Sequence, residues 1–134
     1  EILNTGNGVG RMNLLRVAIT LIQATPITGV GLNQFTKSMS QLELTPVVRQ
    51  FLFPVHNTFA LLFAETGIVG GSLFTIFVVY SLAQTWKKTK NDWVYFGIWV
   101  GVLTFLINGQ VQPLFNQDPT FDMTMVMLAY LNSL

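Results

Sequence analysis

Residues 66–86 read T-G-I-V-G-G-S-L-F-T-I-F-V-V-Y-S-L-A-Q-T-W, 21 consecutive residues without a charge. At a rise of ~1.5 Å per residue, a helix of that length covers ~30 Å, the thickness of a bilayer's hydrocarbon core. Composition supports the same reading. The chain has 134 residues, 51% of them hydrophobic and 10% charged, with mean hydropathy +0.51. Soluble domains carry about 25% charged residues. The expected class is therefore an all-α chain of integral membrane helices.

The pattern repeats downstream. Trp93–Gln117 is a second uncharged run of 25 residues, broken near its end by Pro113. Phe121–Leu134 begins a third apolar segment. We expect spans at about 57–86, 93–111 and 121–134, preceded by a loop region over residues 1–56. Between the first two runs lies W-K-K-T-K-N-D-W, Trp86–Trp93. A lysine cluster between two tryptophans is what a membrane boundary looks like, and the positive-inside rule puts Lys87, Lys88 and Lys90 in the cytoplasm. The 1–56 region and the Gln110–Pro119 loop then fall on the extracytoplasmic side.

Upstream, Glu1–Gly10 reads as a loop from its three glycines and two asparagines. A helix is expected from about Arg11 to Ala24. Asn13, Arg16, Thr20 and Gln23 form one polar stripe on it, which suits a helix lying on a surface or against a membrane. Arg11 lies off that stripe at the helix start, where a cation opposes the helix dipole. Pro26, Gly29 and Gly31 predict a turn, and a short helix is expected over about Leu32–Leu42. Asn57 or Thr58 is the expected N-cap of the first span, and Gly67, Gly70 and Gly71 are positions where that helix could break.

Net charge is +1, with no basic run interleaved with aromatics, so nothing points to nucleic acid. Cysteine is absent, and no carboxylate cluster has metal-ligand spacing, so neither a metal nor another cofactor is inferred. The chemistry sits outside the cytoplasm, where Arg11, Arg16, Arg49 and the only histidine, His56, outnumber the acids. Arginine grips phosphate through a bidentate, permanently charged fork. A histidine titrating near neutrality can take a proton from a hydroxyl. The set suits transfer from a phosphate-bearing donor onto an alcohol. Plainer roles stand beside this one. His56 can be a hydrogen-bonded boundary residue, Arg16 a solvated one, and Arg49 and Lys37 can meet anionic lipid. Glu65 lies nine positions from His56, or 180° round a helix, so the two would not share a face. The glycines read most simply as close-packing positions between membrane helices.

Two stretches carry a resemblance. P-V-H-N-T-F-A-L-L-F-A-E-T-G-I-V-G, Pro54–Gly70, resembles the H-N-x9-G-x-x-G signature of the O-antigen ligase and polymerase family. Arg11 with A-I-T-L-I-Q-A-T-P-I-T-G-V-G-L-N-Q-F, Ala18–Phe35, resembles that family's upstream motif, with Leu15 where the family often has Trp. The likeness covers about Arg11–Gly71. It implies the C-terminal part of a GT-C-like, multi-pass glycosyltransferase of the bacterial inner membrane. Such an enzyme uses an undecaprenyl-diphosphate-linked glycan donor and a lipid, saccharide or protein acceptor. It also implies His56 as general base and Arg11 as a diphosphate ligand. Arg49 is a further candidate for the donor, and Asp118, or else Asp122, is the candidate for a functional acid in the later loop. A polysaccharide polymerase shares these motifs. A transport or export component of the membrane is the alternative from another class.

Overall fold

The computed structural model describes residues 7–42, 53–110 and 119–133. These form five helices: α1 (Asn7–Ala24), α2 (Phe35–Ser40), α3 (Thr58–Thr89), α4 (Trp93–Asn108) and α5 (Pro119–Asn132). No strand occurs among the described residues, so the all-α expectation holds. The first helix starts earlier than its glycines and asparagines suggest, at Asn7. Arg11 therefore lies inside α1 and not at its start, so the expected conflict with the helix dipole does not arise. The short helix is confined to six residues, beginning at Phe35.

Two cores divide the chain. The first joins Leu14, Val17, Ala18 and Leu21 of α1 to Phe35 and Met39 of α2, and to Val55, Leu61 and Ala64 around the start of α3. The second lies between α3, α4 and α5 and holds Val78, Tyr95, Val102, Leu128 and Leu131. Ring pairs fix its register: Tyr95 meets Tyr130 at 5.7 Å and Phe105 meets Phe121 at 6.3 Å, so α4 and α5 run antiparallel. Asn132 Nδ2 donates to Ser81 Oγ at 2.8 Å, so the C-terminal end of α5 lies beside α3's Ser81.

This lower bundle is inside-out relative to a soluble one. Ser81, Thr85 and Thr124 are buried, while Leu73, Ile76, Phe77, Val79, Val100, Ile107 and Val126 are exposed. The Ser81 and Thr85 hydroxyls donate to the carbonyls of Phe77 and Ser81, which satisfies them without water. Small back-bonded residues inside and large apolar ones outside suit helices whose surroundings are lipid. Among the described residues α3 is the one helix long and apolar enough to cross a membrane. At 16 and 14 residues, α4 and α5 are each shorter than the ~20 of a full span.

The lysine turn is built as its sequence suggests. Asp92 caps α4, its Oδ1 accepting from Val94 N–H at 2.8 Å. Lys90 lies over the Trp86 ring and Lys88 over Tyr95, at 5.8 and 5.2 Å from the centroids. Trp93 is 87% exposed, at the outer rim of this end.

Candidate functional site

The histidine lies in the segment that leads from the first core into α3. Val55 is buried in the first core and anchors the segment from one side. Asn57 anchors it from the other with both ends of its side chain. Its Oδ1 accepts from Ala60 N–H at 2.9 Å as the cap of α3. Its Nδ2 donates to Gln110 Oε1 at 3.0 Å. Thr58 N–H donates to the Gly109 carbonyl at 2.6 Å, and a Cβ on Gly109 would meet Thr58 Oγ1 at 2.9 Å. His56 is thus held between α1 and the C-terminal end of α4. The residue is half-buried, and its Nδ1 is buried with no hydrogen-bond partner among the described residues.

Between α1 and α2 runs a strap, residues 25–34, that crosses α3. The α3 helix breaks at Gly67, whose φ of 67° and ψ of −172° are not helical. In an unbroken helix the Ile68 N–H would bond the Ala64 carbonyl. Here the strap supplies the substitutes. Val30 and Gly31 donate to the carbonyls of Ala64 and Glu65, each at 2.9 Å, and Ile68 N–H donates to the Pro26 carbonyl at 2.8 Å. The approach is so close that a Cβ on Gly29 would lie 2.4 Å from the Glu65 carbonyl carbon. A Cβ on Gly67 would lie 2.2 Å from the Ile27 oxygen. Gly67 is therefore a close-packing glycine, but its partner is the strap backbone and not another membrane helix. The Cβ positions of Gly70 and Gly71 meet Thr66 and Phe63 of their own helix.

These ties orient α1. Its C-terminal end is fixed at Glu65–Ile68, and Leu14 to Leu21 share a core with Val55 and Leu61. It therefore runs back along α3 toward the His56 end. Arg11, one turn before Leu14, belongs to that same end of the pair. It is exposed and makes no hydrogen bond or ion pair with a described residue. Arg16 is also exposed, on the polar stripe with Thr20 and Gln23. Arg49 and Asp118 lie outside the described residues. Asp122, in the first turn of α5, is exposed.

Sequence reasoning placed Glu65 off the His56 face, and the two do not pair. It missed what Glu65 does. The side chain is 2% exposed, and Oε1 accepts from Phe35 N–H at 3.2 Å. A lone carboxylate beside a helix-breaking glycine, E-T-G, was the available signal.

The O-antigen ligase family model matches residues 3–75, which include both Arg11 with the strap and His56 with Gly67 and Gly70. Neither a curated protein nor a solved structure matches the chain. The match spans more than half of the 134 residues, and the protein belongs to the O-antigen ligase family.

Proposed function

We propose that the protein transfers a glycan from an undecaprenyl-diphosphate-linked donor to an acceptor hydroxyl at the extracytoplasmic face of a multi-pass inner-membrane assembly. His56 takes the proton as the acceptor oxygen forms its bond to the anomeric carbon. The bond from that carbon to the diphosphate oxygen breaks, and the diphosphate leaves with the electron pair. Arg11 steadies the charge that develops on it. Arg49 adds a second cation to the donor site, and Asp118 is the acid of the later loop. Gln110, which meets Asn57, leads toward that loop from beside His56. The acceptor is a lipid, a saccharide or a protein.

The observation that carries this reading is the shared end of the α1–α3 pair. An exposed guanidinium without a partner among the described residues and a half-buried imidazole belong to the same end, within the part of the chain that matches the family. General acid–base catalysis contributes about 10²–10⁴-fold. Replacing His56 by Ala should therefore lower transfer by at least about a hundredfold in cells, with membrane levels unchanged. Undiminished glycan transfer would remove His56 from the mechanism. Arg11→Lys keeps the charge but loses the planar fork. It should raise the donor KM and slow transfer, and wild-type kinetics would exclude bidentate diphosphate binding.

A further inference from the structure

The ties between the strap and α3 are of two kinds. Three are backbone bonds, made possible by the break at Gly67. The other is the Glu65 carboxyl group, which reaches past the break to the far end of the strap. It accepts the N–H of Phe35, the first residue of α2. Phe35 is buried in the core shared by α1 and α3. Oε2 is buried with no partner among the described residues. A buried carboxyl group is unfavourable unless its contacts offset the loss of water. The base and cation roles assigned above to His56 and Arg11 make no use of this one.

We propose that Glu65 is a positioning residue for glycan transfer. Its carboxyl oxygen holds the Phe35 amide, where the strap enters α2, and through the strap it sets α1, with Arg11, against the end of α3 that carries His56. The inference rests on the roles given above to Arg11 and His56. Without the tie, the strap and α2 shift on α3 while Arg11 stays exposed. The donor diphosphate is still bound, and its alignment with the base is what suffers. Misplacement of this kind costs turnover and not affinity.

The experiment uses the full-length protein in lipid nanodiscs and two substitutions. Glu65→Gln keeps an acceptor oxygen at the same reach. Glu65→Asp is one methylene shorter and cannot make the same contacts. Hydrogen exchange at the Phe35 amide reads the tie directly. In the Asp variant that amide should exchange at least about tenfold faster. Its kcat should fall by about tenfold or more, with the donor KM within about threefold of wild type. The Gln variant should melt at a lower temperature, because its amide nitrogen gains no acceptor, but should keep slow exchange and kcat within about threefold.

Unchanged exchange in the Asp variant would overturn the tie. Slow exchange with low kcat in the Gln variant would show that the carboxylate charge, and not the tie, is required. A parallel rise of donor KM and fall of kcat in the Asp variant would show loss of the donor site as a whole. If the Asp variant does not accumulate, the Gln variant decides: fast amide exchange or low kcat overturns the proposal. If His56→Ala still transfers glycan, the reading of the reaction fails, while the exchange data judge the tie separately.

Discussion

Gly67 is the residue on which the two halves turn. Its backbone lies in a region open essentially to glycine, at a cost of about 1–3 kcal/mol for any other residue. A Cβ there would also strike the Ile27 oxygen at 2.2 Å and Gly29 N at 2.7 Å. Both are backbone atoms, so relief requires the strap to move. Gly67→Ala should therefore destabilise the protein by more than about 3 kcal/mol, read as a sharp loss of folded protein in a detergent melt. At Gly70 the Cβ would lie 2.6 Å from the Thr66 Cβ, but the backbone there is helical and the strain of a left-handed φ is absent. Gly70→Ala should cost clearly less than Gly67→Ala. Equal melting temperatures for the two would contradict the strap geometry. The glycines were legible as sites of close approach. Their partners were not, because a glycine packed on a loop and one packed on a helix leave the same letter in the sequence.

At the scale of elements, ends were easier to read than partners. Asn57 caps α3 and Asp92 caps α4, both through side-chain oxygens. Such caps depend on residues two or three positions apart, so they show in a short window of sequence. The start of α1 did not show. Gly8 and Gly10 argue for a loop, yet the helix runs through them from Asn7. A Cβ on Gly10 would meet nothing within 4 Å, so packing does not demand glycine there. Asn57 also has a partner far along the chain, Gln110. The two roles separate by substitution. Asn57→Asp keeps the capping oxygen and loses the Nδ2 donor, whereas Asn57→Ala loses both. We expect Asn57→Ala to lower stability by about 1–2 kcal/mol and Asn57→Asp by less. A loss in the Asp variant equal to that in the Ala variant would show that the tie to Gln110 outweighs the cap.

For the whole molecule, the exposed apolar side chains of α3, α4 and α5 are the strongest sign of its surroundings. We propose the lysine turn as cytoplasmic and the His56 end as extracytoplasmic, and the absence of cysteine makes this simple to test. Asn91 and Phe53 are exposed at the two ends. In intact cells a membrane-impermeant maleimide should label Phe53→Cys. It should reach Asn91→Cys only after the inner membrane is opened. The reverse pattern would invert the orientation and place His56 on the wrong side for a lipid-linked glycan presented outside the cytoplasm.

Charge-free length, aromatic and lysine boundaries, caps and the glycine punctuation determined from sequence alone that the chain is helical, where most of its helices lie and which family it resembles. These are local signals, written in side chains along one segment. Only the tertiary structure decided that residues 25–34 stand in for the broken hydrogen bonds of α3, that Glu65 serves the strap, and that Arg11 and His56 belong to one end. The three backbone bonds between the strap and α3 join residues 34 or 42 positions apart. Every non-proline residue carries the same N–H and C=O, so no side-chain pattern announces which of them will pair.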